Sequence, residues 1–381
     1  MPLCCQFVTS TPLADSRPHP REPKPSLPVA DPVLDALQRQ ALSCAHVGSS
    51  LYGVLLDGLA ADYDADGITR ELLKDVSTAP VHDALPLRYL ATAHHLALAG
   101  LAPDLASIYA SCGGEWNGED PTRLFLRVAR TNRAAFENGV RTNVQTNEAA
   151  RSAVLASGFS LISHRYGLPM STLEIGSSAG LLSRWMHYGF DTGESTTGDA
   201  ASQLQFGPLW WNAPLPRLDP AATVVSMRAS DITPLDLSTA PGRLAMESFL
   251  WPDQVDRRER LLLALAVAQE HPLVVEQADA GEWLTDLLAA DLPAGTATVV
   301  FHSIVWQYLP QATRETMRAA LQRSGLTAEP DCPLLWLRME PATAEHAALR
   351  LTSWPGGIDE ELAHVGYHGA DVRWLIAPAL P

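Results

Sequence analysis

The chain has 381 residues, 46% of them hydrophobic and 18% charged, which excludes a disordered protein and suffices for one large domain or two of ordinary size. A net charge of −16 repels nucleic acid over most of the surface, so a nucleic-acid partner is not expected. No apolar run reaches the roughly 20 residues of a membrane helix, and no basic flank precedes an apolar core near Met1. The cytoplasm is therefore the expected compartment.

Residues 1–31 carry Pro18, Pro20, Pro23, Pro25 and Pro28 with no apolar period and read as a flexible tail. Cys4, Cys5, Cys44, Cys112 and Cys332 are scattered, without metal-ligand spacing, so neither a disulfide framework nor a metal site is expected. Residues 32–168 read as an all-helical domain. Val33, Leu34, Leu37, Ala41 and Leu42 keep a 3.6 period, as do Leu51, Leu55, Leu56 and Leu59. Further helices are expected over Leu85–Leu98, carrying His94 and His95, and over Pro121–Glu137. A last one is expected from near Gly139 to Tyr166, stopped by Gly167 and Pro169. Its first turns, Arg141 to Glu148, are almost wholly polar. That run is either capping by Thr142 or Asn143, or a set of donors (Arg141, Asn143, Gln145, Asn147) lining a substrate pocket.

From residue 169 to 381 strands alternate with helices, the mark of a parallel sheet with crossovers. Strands are expected at Thr172–Ile175, Thr223–Met227, Leu273–Gln277, Thr298–Ser303 and Leu334–Met339. Helices are expected at Leu181–Tyr188, Arg257–Glu270, Ala280–Ala290 and Gln311–Arg323. Residues 191–220 are too long and too rich in Gly, Pro, Asp and Trp for a simple connection. They read as an insertion, a hairpin with Trp210 and Trp211 covering the ligand edge of the sheet. Leu349–Trp354 and Val372–Ile376 read as a closing antiparallel pair.

The stretch Leu173-Glu174-Ile175-Gly176-Ser177-Ser178-Ala179-Gly180 organises this half. A strand running through small residues into a helix offers backbone N–H groups to a ligand. The pattern fits a Rossmann-type cofactor loop, a G-x-S-x-G nucleophile elbow, or an ordinary turn. Ligands of such sheets sit beyond the carboxyl ends of the strands, and polar residues gather there: Asp231 after the second, Asp279 and Ala280 after the third, His302 and Ser303 after the fourth. Asp231 suits a ribose diol and Asp279 an adenine amino group, although a turn-former and a helix N-cap are equally served by them.

The order of glycine loop, acidic second strand, Asp-Ala third strand and terminal hairpin resembles the class I S-adenosylmethionine-dependent methyltransferases. That resemblance implies a Rossmann-like, mostly parallel sheet with a terminal antiparallel hairpin behind the helical region. It also implies S-adenosylmethionine as cofactor, bound by Glu174, Gly176, Ser177, Ser178, Gly180, Asp231, Asp279 and Ala280. The acceptor would be a small molecule or a protein. Val144–Ser152, Leu173–Leu181, Leu250–Gln254, Phe301–Leu309 and Trp354–Gly357 resemble more specifically a bacterial domain-of-unknown-function family. Ser178 departs from the methyltransferase pattern, which has glycine there. Its hydroxyl either donates to the cofactor's carboxylate or blocks it.

As a methyltransferase, the chain would use His302, Tyr308 or Glu148 as base. Trp251, Asp253, Gln254, Trp306 and Gln307 would join Arg141, Asn143, Gln145 and Asn147 in holding substrate. The alternatives are a serine hydrolase with Ser178 as nucleophile and His302, His364 or His368 as base, or a non-enzymatic binder on the same scaffold.

Overall fold

The computed structural model describes residues 31–218 and 222–376. The proline-rich tail with Cys4 and Cys5 lies outside those residues, Asp31 apart. From Pro32 on, the chain groups as one compact unit, and no described helix is long and apolar enough to cross a membrane.

Helices come first: α1 (Pro32–His46), α2 (Ser50–Asp64), α3 (Ile68–Leu73), α4 (Leu85–Leu98), α5 (Pro103–Ala106), α6 (Pro121–Thr131) and α7 (Arg133–Gly139). Their apolar stripes meet in a core containing Leu37, Leu55, Leu59, Tyr89, Phe125 and Phe136. Ser49 caps α2 through the Tyr52 N–H at 3.3 Å. Asp120 caps α6 through Thr122 and Arg123, with Pro121 opening the first turn. His94 of α4 is buried, with its ring nitrogens against Ser248 O (3.1 Å) and Ser111 Oγ (2.7 Å).

The helix expected from Gly139 onward begins later. Residues 140–148 form an irregular strap, followed by a tight turn at Ala149–Arg151 and then α8 (Ser152–Tyr166). The physical reason lies in the side chains. Gln145 and Asn147 bond to loops of the sheet rather than serving a local helix. Gly167, at φ +64°, ends α8.

The sheet half runs β1 (Met170–Ile175), β2 (Gly189–Asp191), β3 (Thr196–Gly198), β4 (Gln205–Phe206), β5 (Trp211–Asn212), β6 (Val224–Asp231), α9 (Ala240–Ser248), α10 (Val255–Glu270) and β7 (Val275–Gln277). It continues α11 (Ala280–Leu287), β8 (Ala297–Ser303), α12 (Gln311–Gly325), β9 (Leu334–Pro341), β10 (Ala347–Trp354), β11 (Ile358–Val365) and β12 (Val372–Trp374). The nine-stranded sheet has the order β5-β12-β11-β10-β9-β8-β1-β6-β7. Strands β7, β6, β1, β8 and β9 are mutually parallel, and β9 through β12 form an antiparallel meander. Alternate residues cover the two faces. Leu173, Ile175 and Val300 pack under α11 and α12 with Trp283, Leu284 and Met317. Met170, Val299, Phe301 and Leu337 pack against α8 and α10, with Phe159 stacked on Trp185 at 4.8 Å.

Three expectations for this half are corrected. Leu181–Tyr188 is a succession of tight turns ending in a short 3-10 segment rather than a helix. Side chains take the carbonyls that a helix would need: Arg184 Nη1 donates to Ala179 O (2.9 Å) and Gly180 O (2.8 Å), and the Tyr188 hydroxyl donates to Leu181 O (2.8 Å). The insertion does not cover the ligand edge. β2, β3 and β4 make a small sheet of their own, and β5, carrying Trp211, extends the far edge beside β12. Finally, β10 pairs not with β12 but with β9 and β11. β11 is hidden in the sequence by its acids. They are answered by arginines: Asp359 by Arg338 and Arg350 (2.7 Å each), and Glu361 by Arg350 (2.6 Å).

Candidate functional site

Counted in chain order, the parallel strands lie 3-2-1-4-5 across the sheet, so the winding reverses between β1 and β8. Open sheets of this kind leave a crevice beyond the carboxyl ends at that reversal. A cavity of about 580 Å³ occupies it, within the size range of small-molecule sites. Gly176 and Ser178 follow β1, Asp231 ends β6, Asp279 and Ala280 follow β7, and Ser303 to Val305 close β8. All line the cavity, as do Asn143, Gln145 and Asn147 of the strap, Trp251, Gln307 and Tyr308. Chain segments far apart in sequence thus converge on one space.

The elbow after β1 is tied by the protein's own groups. Asp231 Oδ2 accepts from the Ser178 N–H and Oδ1 from the Thr233 N–H, each at 2.8 Å. Ser177 donates through N (3.0 Å) and Oγ (3.2 Å) to Ser230 O. Asn147 Oδ1 accepts the Leu181 N–H at 2.7 Å, and the Gly180 N–H closes on Ser177 O at 2.7 Å. The Ser178 hydroxyl donates to Gln145 Oε1, while Gln145 Nε2 donates to Thr233 O at 2.8 Å. Gly176 has φ +62°, and a Cβ there would stand 2.5 Å from Val305 Cγ1, so only glycine fits. Two other left-handed residues flank the opening, Ser178 (φ +54°) and Ile304 (φ +53°). For β-branched Ile304 that conformation is an outlier, held at the end of β8 by its N–H to Met339 O at 2.9 Å.

Ser178→Gly tests this bracing. Left-handed backbone costs a non-glycine residue about 1–2 kcal/mol, close to the worth of the hydroxyl's hydrogen bond. The expected result is a melting temperature within a few degrees of wild type, with faster amide exchange over residues 143–147. Unchanged exchange there would mean that the hydroxyl does not hold the strap.

Several expected site residues stand elsewhere. His302 is 1% exposed, with Nδ1 on Glu340 Oε1 (2.7 Å) and Nε2 accepting from Trp336 Nε1 (3.1 Å). It is sealed from the cavity and cannot serve as its base. Trp306 stacks over that imidazole at 5.6 Å, with Arg318 on its ring at 4.8 Å. Glu174 points under the elbow to the hydroxyl of Ser183, and burial pushes its carboxyl up to about 8 against that hydrogen bond. Ser177 and Gly180 shape the elbow without lining the cavity. Arg141 is exposed outside it. Asp253 accepts from Ser49 Oγ at 2.8 Å, Gln254 accepts from Arg257, and neither lines the cavity. Ser178 Oγ meets an amide rather than a histidine, His364 pairs with Glu361 at 2.8 Å, and His368 lines the same cavity without a hydrogen bond to that serine.

Glu148 is buried behind the cavity wall in an ion pair with Arg257, 2.7 Å. Burial alone would raise its carboxyl, but the charge of Arg257, with His368 and Arg151 nearby, holds it below the usual range. Arg151, Arg257 and His368 all line the cavity, and the first two were not singled out from the sequence. Arg151 stands inside the Val144–Ser152 motif, where an arginine at the start of a buried helix is the signal that could have found it. Burial lowers its guanidinium to about 10, and burial beside Arg257 pushes the His368 imidazole down to about 3.

Neither a curated protein nor a solved structure matches the chain. A family model, that of uncharacterised proteins conserved in bacteria (DUF2332), matches residues 34–374, and the chain belongs to that family.

Proposed function

We propose that the chain is an S-adenosylmethionine-dependent methyltransferase of Rossmann-like architecture acting on a small molecule. One observation carries the reading: a cavity at the winding reversal of a 3-2-1-4-5 parallel sheet, with acids at the ends of the second and third strands. The residues fit a nucleoside. Each Asp231 oxygen accepts one N–H and keeps a lone pair for a ribose hydroxyl. Asp279 is more committed, capping α11 through Oδ1 and accepting Thr313 Oγ1 on Oδ2 at 2.9 Å, so the base would rest mainly against Ile232, Ala278 and Ala280.

The bound cofactor supplies an electrophilic methyl group. The protein's part is to align an acceptor against it and to exclude water. The strap, Trp251, Val305, Gln307 and Tyr308 enclose the remaining space. Of the expected bases, Tyr308 reaches the cavity. Calorimetric titration with S-adenosylhomocysteine should give saturable binding, weakened about tenfold or more by Asp231→Asn, which keeps one acceptor for the elbow. No heat up to millimolar ligand would sink the reading. Binding without turnover on any acceptor would favour the non-enzymatic alternative.

A further inference from the structure

The elbow leaves a question of charge. The N–H groups of Ser177, Ser178, Gly180 and Leu181 all have partners within the protein, so this turn holds no free donor set for an anion among them. Across the cavity the opposite condition holds. Arg151 is 5% exposed and enters no ion pair among the described residues. Its hydrogen bonds run to main-chain carbonyls, Nε to Tyr367 O at 3.0 Å and Nη1 to Ser303 O at 3.5 Å. The neighbouring acid, Glu148, is committed to Arg257 at 2.7 Å, and Glu340, whose charge also acts on Arg151, places Oε1 on His302 and the Val305 and Trp306 N–H groups and leaves its buried Oε2 without a partner. Beside Arg151, His368 also lines the cavity, with its buried Nδ1 lacking any partner. Buried charges are ordinarily paired, because an unpaired one forfeits its hydration.

We infer that Arg151 and His368 form an oxyanion site, and that a carboxylate or phosphate group of the ligand is the direct ion-pair partner that Arg151 lacks among the described residues. The guanidinium supplies charge and fixed donors, and the imidazole supplies a directional ring N–H donor. The nearby Arg257–Glu148 pair adds no net charge. The ligand class is therefore a small-molecule acid, with its neutral part toward Trp251 and the strap.

The test uses the full chain and simple probes. Inorganic phosphate and acetate are titrated at constant ionic strength, with chloride as the balance, while the melting midpoint is followed. A saturable rise with either probe is expected, and the stronger probe identifies the oxyanion. Arg151→Met and His368→Leu should each weaken it about tenfold, the weight of one charge-assisted hydrogen bond. His368→Leu keeps the test decisive should Arg151→Met fail to fold. A rise that does not saturate, or one unchanged in His368→Leu, overturns the site. Saturating S-adenosylhomocysteine either abolishes the phosphate effect, placing the cofactor's own carboxylate on Arg151, or adds to it, placing an acidic acceptor there. Both leave the site standing. Phosphate binding needs no cofactor and should survive Asp231→Asn, so failure of the cofactor reading and failure of this one are separable.

Discussion

Replacing Glu148 by alanine is expected to destabilise the protein by about 3–5 kcal/mol, the usual cost of breaking a buried ion pair from one side. Its side chain is 4% exposed and that of Arg257 9% exposed, at 2.7 Å. Glu148 also accepts the Ala150 N–H at 3.4 Å, at the turn that starts α8. Without it, Arg257 and Arg151, each of which disfavours the other's charge, would lose the carboxylate they share. The pair also gives the acid limb of stability a definite sign. Because the folded carboxyl is held below its unfolded value, its contribution is present above about pH 4.5 and is lost as pH falls through the lower folded value. Urea melts of wild type and Glu148→Ala from pH 3 to 7 measure both effects. A loss below about 1 kcal/mol at pH 7, or parallel acid limbs, would refute the account. Replacing both partners with leucine and methionine should recover much of the loss.

Glu174→Gln is expected to act at the other end of the pH scale, and to stabilise. Burial lifts the Glu174 carboxyl to about 8 from an ordinary 4.5. A raised folded value means that the stability is fully present below pH 4.5 and declines as pH rises through 8. At about 1.4 kcal/mol per pH unit, the decline is on the order of 5 kcal/mol. Glutamine keeps an acceptor for the hydroxyl of Ser183 and carries no charge to desolvate. Its stability should therefore stay flat where that of wild type falls, with the largest difference near pH 9. Coincident profiles would show that Glu174 is already charged in the folded protein. The same substitution should leave ligand affinity nearly unchanged, because the carboxyl faces away from the cavity.

What the sequence revealed best was what a strand or helix announces by its own period. The parallel strands were placed within a few residues, and the acids at the ends of β6 and β7 were identified from their positions alone. The failures share one physical origin: side chains that bond to distant or neighbouring main chain instead of supporting local structure. Gln145 and Asn147 reach across to the elbow and keep the strap out of the helix that its continuation suggests. Arg184 and Tyr188 take the carbonyls of the turn after β1. The arginines of β9 and β10 make an acid-rich β11 tolerable as a strand. His302 sits on a strand end, as expected for a site residue, but strand alternation turns it to the face away from the cavity, toward Trp336 and Glu340. Position along a strand locates a residue in height, and the neighbouring strand decides what it meets.

The strap has a consequence for how the chain can be cut. A fragment beginning near Pro169 would contain all the strands, yet the Leu181 N–H and the Ser178 hydroxyl would lose the amides of Asn147 and Gln145. Residues 144–151 are thus keystone more than connector. The helical region cannot be exchanged for another, as loop insertions on a self-sufficient scaffold can, without losing the strap residues that line the cavity. Grafts or truncations that respect the helix and strand boundaries but move the strap should yield protein that folds in its parts and no longer closes around a ligand.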